Sequence, residues 1–265
     1  MGIFKNTQFL EMEKILMLNI ERQNKILLIT LNRPEKRNSL HPDLIKELSK
    51  HLTQAATDQS LNVILITGSG TSFCAGLDLK HLLSLDSEGK TAYMRSLFAL
   101  FHQIYTQPQP VLAAINGPAM AGGFDLAAFC DLRICSPNAI FAQTEILIGL
   151  TQIFYPLYKL IGLGRAKELA MIGEPISAQE AYRIGLVNQI YPQEELLAQS
   201  LNWAEKMANR PTQALFETKR LCRDLIEMDT TSAMERMFQA ISERLASAEH
   251  QQETEKYFAS LKQGK

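Results

Sequence analysis

The chain has 265 residues, 46% of them hydrophobic and 21% charged, and a formal net charge of −1. That length supports a full core, while so even a charge balance leaves no electrostatic footprint for nucleic acid or an anionic membrane, so neither is expected as a partner. Four cysteines without a paired framework (Cys74, Cys130, Cys135, Cys222), with no secretory pattern ahead of them, point to reduced thiols and a cytoplasmic setting. No apolar run approaches the roughly 20 residues needed to span a bilayer.

Residues 1–14 read as a loosely held leader, and Asn6 stands where a myristoylation signal needs Ser or Thr. Two apolar segments, Ile15 to Ile20 and Ile26 to Leu31, flank a polar turn and predict a hairpin. A polar loop from Asn32 to Ser39 carries Arg33, Lys36 and Arg37. Pro42 opens a helix to about Ala56, with Leu44, Leu48 and Leu52 at helical spacing. Asn62 to Thr67 reads as a buried strand, followed by a glycine-rich stretch from Gly68 to Lys80. From about Gly89 a helix carries Met94, Leu97, Phe98, Phe101 and Ile104 on one face, a core-packing stripe. Val111 to Ile115, Leu132 to Cys135 and Leu186 to Ile190 are further strands. Strands apolar on both faces and separated by helix-length segments predict a parallel sheet with helical cover. From Glu194 onward every segment reads as helix, with a stripe through Met234, Met237, Phe238, Ile241 and Leu245 that needs covering. Residues 1–192 are therefore expected to form an α/β core, and 193–265 a helical C-terminal subdomain or assembly surface.

Several chemistries are excluded by what the motifs lack. Gly68-Ser69-Gly70 follows a strand, but Phe73 holds the place of a third glycine, so a dinucleotide fingerprint fails. No P-loop and no Gly-x-Ser-x-Gly elbow occur. Cys130 and Cys135 lack metal-ligand spacing, and the five histidines are scattered, so no metal site is expected. Two glycine turns remain, Ala75-Gly76-Leu77-Asp78 and Ala121-Gly122-Gly123, each at the end of an apolar strand. The second runs from Asn116 into a short apolar helix carrying Asp125. Bare N–H groups at such a helix start suit an anion or oxyanion, and two turns meeting across a crevice would aim two donors at one oxygen.

The segment Leu31-Asn32-Arg33-Pro34-Glu35-Lys36-Arg37-Asn38 resembles the opening motif of the crotonase (enoyl-CoA hydratase/isomerase) superfamily. So do Phe73 to Leu79, Asn116 to Gly123, Cys130 to Ile134, Gly173-Glu174 with Ala178 to Ala181, and Gly185 to Val187, all in the family's order. The resemblance covers about Leu28 to Val187. It implies an α/β fold, a repeated ββα spiral with a C-terminal all-helical subdomain, assembled as a trimer or a dimer of trimers. It implies an acyl-CoA thioester as substrate, with coenzyme A entering as part of that substrate and no separate cofactor. The backbone N–H groups of Leu77 and Gly122 would form the oxyanion hole. Lys36 or Arg37, with Lys80, would meet coenzyme A phosphates, with Ala75 and Asp78 beside the bound cofactor moiety.

Two carboxylates are expected to decide the reaction. In hydratases of the superfamily one Glu follows the second oxyanion glycine by three positions and another lies about twenty residues later. Here those positions hold Asp125 and Glu145, the latter in Phe141-Ala142-Gln143-Thr144-Glu145. Asp for Glu withdraws the carboxylate by about 1.5 Å, one carbon–carbon bond. Bulky Ile153, Phe154 and Tyr155 stand where the family usually has a Pro-x-x-Gly, which suggests a reshaped acyl pocket. The expectation is hydration of a 2-enoyl-CoA to a 3-hydroxyacyl-CoA. The alternatives are a 3-enoyl/2-enoyl double-bond isomerase with Glu145 as the single shuttle, and a non-catalytic crotonase-like assembly protein.

Overall fold

The computed structural model describes residues 16–263; the expected leader, residues 1–14, and its Asn6 lie outside the described residues. A hairpin opens the fold, with β1 (Leu18–Gln23) antiparallel to β2 (Ile26–Leu31) and Asn24 taking the left-handed conformation in the turn. α1 (Pro42–Thr57) starts with proline in its first turn and buries Leu44, Leu48 and Leu52. There follow β3 (Val63–Gly68), α2 (Leu79–Ser84), α3 (Ser87–Thr106), β4 (Val111–Ile115), β5 (Ala119–Met120), α4 (Gly122–Phe129), β6 (Leu132–Cys135) and β7 (Ile140–Ala142). The remainder is α5 (Leu157–Ile161), α6 (Leu163–Ile172), β8 (Ile176–Ser177), α7 (Ala178–Arg183), β9 (Gln189–Ile190), α8 (Leu196–Ala208), α9 (Thr212–Asp224), α10 (Thr230–Leu245) and α11 (Ala248–Gln263).

The main sheet has the order β1-β2-β3-β4-β6-β9, parallel from β2 onward. Side chains alternate between its faces, as a strand's period of two requires. Leu27, Ile29, Ile64, Ile66, Val111 and Ala113 join one core cluster with α1, α3 and α4. Ile26, Leu28, Val63, Leu65, Leu112 and Ala114 join another with Leu196, Ala204 and Ala208 of α8. Because both faces are covered, the strands are apolar throughout. Helix α8, read from sequence as the start of the tail, is the cover for the sheet's second face.

A smaller sheet, β5-β7-β8, forms a second layer. Isolated bridges Leu40↔Leu77 and Cys74↔Ala119 carry extended pieces up to it. Three of the main strands are thus followed by a short extended piece and then a helix: β2, Leu40, α1; β3, Cys74, α2; β4, β5, α4. This is the expected ββα winding. It stacks the chain's turns so that the stretch after β3 lies beside the stretch after β4. The strand expected over Leu186 to Ile190 is reduced to its last two residues, because Leu186 and Val187 hydrogen-bond back to Ala181 instead of entering the sheet.

Candidate active site

Where the turns after β3 and β4 stack, the two glycine turns touch. Gly76 has φ +84°, outside the range of ordinary side-chain-bearing residues. A Cβ on Gly123 would lie 2.1 Å from the Cys74 carbonyl oxygen, so only glycine allows the start of α4 to approach that strand end. A Cβ on Gly122 would be 3.6 Å from Gly76 Cα and 3.9 Å from Leu77 N. Ala121 is held at φ 50°, ψ −127°, a conformation that costs energy for a residue with a side chain and occurs where structure over-determines it. Its N–H donates to Ala142 O (2.8 Å) and its carbonyl accepts from Asp125 N (3.0 Å). Those bonds fix the peptide that carries the Gly122 N–H. Among the described residues neither the Leu77 nor the Gly122 N–H has a protein acceptor. Two unpaired donors at adjoining turns match an oxyanion hole.

A cavity of about 280 Å³ opens at this point. Leu77, Gly122, Asp125 and Glu145 line it, and Met94, Leu97, Phe98, Leu150 and Ile153 supply apolar wall. A second cavity, about 170 Å³, runs along Ala75, Leu79 and Ala121 and shares Leu77, Glu145 and Leu150 with the first. A larger cavity of about 360 Å³ lies far from this chemistry, between the end of α3 and helices α9 and α10. Its lining cations are paired, Lys219 with Asp131 and Arg220 with Glu217.

Asp125 sits in the first turns of α4 and is only 2% exposed. Its Oδ1 accepts from Gln143 Nε2 (3.2 Å), while Oδ2 is buried without a partner. Gln143 Nε2 also donates to Ile153 O (3.0 Å), and Gln152 Nε2 donates to Gln143 O (3.1 Å). Glu145 begins a 3₁₀ turn, Glu145–Ile148, and its Oε2 is likewise buried and unpartnered. Burial, and then the Glu145 charge, push the Asp125 carboxyl well above the usual carboxylate range, against the opposing Gln143 hydrogen bond. Burial also raises Glu145. With both carboxyls lining one cavity, ionising Asp125 beside an ionised Glu145 costs more than ionising either alone.

The remaining expected residues lie around the mouth. Lys36, Arg37 and Lys80 are exposed and make no ion pair among the described residues. Arg37 O accepts from Ala75 N (2.9 Å), which lays the basic loop against the Leu77 turn. Ala75 borders the second cavity. Asp78 is engaged within the protein: it caps α2 through His81 N–H (3.2 Å) and pairs with Arg33 (3.2 Å). Against burial, which pushes it up, these partners hold its carboxyl below the usual range. Buried Asn38 joins the loops, donating to Ser69 O and Ser72 O (both 2.9 Å) and accepting from Arg33 N (2.9 Å).

Gln143, Asn38 and helix α2 were not anticipated from sequence. Gln143 follows directly on β7, between Phe141 of that strand and Glu145 at the start of the 3₁₀ turn, and a lone amide beside that apolar strand was the signal that could have found it. Among the described residues no group of His, Cys, Asp or Glu is placed to hold a metal ion. Nor is any described helix long and apolar enough to cross a membrane.

The sequence profile of a family described as "Enoyl-CoA hydratase/isomerase" matches residues 21–263. The chain is 34% identical to crotonyl-CoA hydratase of Syntrophomonas wolfei, covering 81% of this chain and 84% of that one. It is 33% identical to short-chain-enoyl-CoA hydratase of Clostridium acetobutylicum, over 82% and 85% of the two chains. Its fold superimposes on a crystal structure of enoyl-CoA hydratase from Bacillus anthracis with a TM-score of 0.90 at 31% identity, covering 92% of this chain and 97% of that one.

Proposed function

The chain belongs to the enoyl-CoA hydratase/isomerase family, and from that premise we propose that it adds water across the double bond of a 2-enoyl-CoA thioester. One observation carries this reading: a buried carboxyl, a half-buried one and two unpaired backbone N–H groups line the same cavity. The thioester carbonyl accepts from Leu77 and Gly122 N–H, which stabilise the negative charge that grows on its oxygen as C3 is attacked. Burial, and then the Glu145 charge, raise the Asp125 carboxyl well above its usual range, and burial raises Glu145 as well; in the proposed step Glu145 starts as the carboxylate. Glu145 takes a proton from water as the water oxygen bonds to C3, then gives a proton to C2 as the enolate collapses. Asp125 fixes the water. Lys36, Arg37 and Lys80 meet the phosphates of coenzyme A.

Asp125 also supports a second reading. Its Oδ1 is turned to Gln143, and its side chain is one methylene shorter than Glu, so Glu145 alone could move a proton between C2 and C4 of a 3-enoyl-CoA. Crotonyl-CoA and a 3-enoyl-CoA offered in heavy water separate the two. Hydration predicts loss of the conjugated enoyl absorbance with deuterium at C2 of the 3-hydroxyacyl product. Conversion of only the 3-enoyl-CoA favours isomerisation, and inertness toward both would falsify an enzymatic role on those chains. The exposed stripe on α10 supports assembly as a homotrimer or a dimer of trimers, covered by a second copy of the chain.

A further inference from the structure

The Leu77 N–H belongs to the planar peptide unit that also carries the Gly76 carbonyl, so whatever holds that carbonyl aims the N–H. Gly76 O accepts from Leu40 N at 2.8 Å. The carbonyl of Leu40 in turn accepts from the Tyr93 hydroxyl. The same hydroxyl oxygen accepts from Asp78 N (3.1 Å), the amide immediately after Leu77. One phenol therefore ties down the residue that orients the Leu77 peptide and the residue that follows it. Tyr93 is 3% exposed and lies on α3 directly before Met94, which lines the cavity; Tyr93 itself does not line it. The ring is seated edge-on against His81, whose ring centroid is 5.6 Å away, and His81 makes no hydrogen bond to it. Core packing needs a ring at this site. It does not need a hydroxyl placed to bridge two backbone groups on either side of a free amide.

We infer that Tyr93 is a positioning residue for the oxyanion hole, acting through Leu40 and Asp78 to fix the direction of the Leu77 N–H. The inference rests on the reading of Leu77 as a carbonyl donor to a bound acyl-CoA. Removing the hydroxyl leaves the Leu40 carbonyl and Asp78 N–H without their partner and frees the turn to rotate. Misplacement of a catalytic group by about 1 Å costs up to roughly 10²-fold, and loss of one oxyanion donor costs about 10²–10³-fold. Tyr93→Phe is therefore expected to lower kcat on crotonyl-CoA by about 10- to 100-fold, with KM changed much less.

The decisive readout is independent of turnover. Butyryl-CoA labelled with ¹³C at the thioester carbonyl has no double bond to hydrate, and its carbonyl stretch reports hydrogen bonding in the site. In the unaltered protein, binding should shift that stretch down, and Tyr93→Phe should lose a large part of the shift. His81→Leu removes ring packing without touching the hydroxyl and should retain it. If Tyr93→Phe does not fold, para-aminophenylalanine at position 93 keeps the ring with a weaker donor, and the expected shift is smaller than that of the unaltered protein. A full shift in folded Tyr93→Phe, or in the amino variant, overturns the inference alone. No shift in the unaltered protein overturns it together with the acyl-CoA reading. A normal shift without hydration of crotonyl-CoA removes the hydratase reading and leaves the inference about Tyr93 standing.

Discussion

At the scale of single residues the proposed hydration stands on Glu145 and Asp125, and their environments give each a distinct signature. Glu145→Gln keeps the shape and removes the proton carrier, so kcat should fall by about 10²–10⁴-fold while the fold is unchanged by circular dichroism. Asp125→Asn should cut hydration severely and leave any isomerisation nearly intact. The same change should stabilise the protein. Asp125 is raised in the folded state, so it binds its proton more tightly folded than unfolded. Its contribution to stability is full below the ordinary carboxyl range, about pH 4, and is lost as pH rises through the raised folded value. The difference in melting temperature between Asp125→Asn and the unaltered chain should therefore widen in favour of the variant as pH increases from about 4. A difference that shrinks or stays flat would show that Asp125 is ionised without strain. Asparagine also has an amide donor to offer, and Gln143 Oε1 and Glu145 Oε2 both lack one.

At the scale of elements, the junctions matter more than the elements they join. Gly123→Ala forces a methyl onto the Cys74 carbonyl, so α4 must move off the strand end. Overpacking of this kind costs about 1–3 kcal/mol, and here it should reduce activity further than stability, because the Gly122 N–H moves with the helix. Thermal melts set beside turnover would separate the two losses. For the basic loop, Lys36→Gln, Arg37→Gln and Lys80→Gln combined should raise KM and flatten its dependence on salt, with kcat unaffected. The legibility of these elements follows their length. α1 and β4 were plain in the sequence because Pro42 and the Leu44, Leu48, Leu52 spacing mark one, and an unbroken apolar run marks the other. α2 is six residues long and begins at the end of a glycine-rich stretch, too short to show a period. β5, β7 and β8 are two or three residues each and exist only through pairing with distant chain. The two glycine turns were legible, as was the expectation that they meet, but what brings them together, the second-layer bridge between Cys74 and Ala119, was not. Gln143 stayed hidden for the same reason, as its partner Asp125 is eighteen residues away.

At the scale of the whole molecule the helices after the sheet divide by what they cover. α8 buries Leu196, Ala204 and Ala208 against the strands, and Ala204→Leu should cost about 1–3 kcal/mol in urea denaturation. α10 leaves Met234, Phe238, Ile241 and Leu245 open, with Phe238 66% exposed. Exposed apolar stripes of this kind mark association surfaces as a rule, and the proposed assembly would cover this one. Phe238→Glu with Ile241→Glu should lower the mass measured by light scattering to that of a smaller assembly. An unchanged mass would place the subunit contacts elsewhere.

The two cavities share Leu77, Glu145 and Leu150 in their linings, and under the proposed function the reacting carbonyl lies where they adjoin. In that reading a thioester placed there is held from both cavities. Tension from the far end then sets how well the near end registers with the paired carboxyls. A crotonyl thioester cut down to N-acetylcysteamine would be gripped from one side only. Anchoring remote from the reacting bond drives the bond change itself, so such a fragment should lose turnover rate even at saturation, beyond any weakening of its binding.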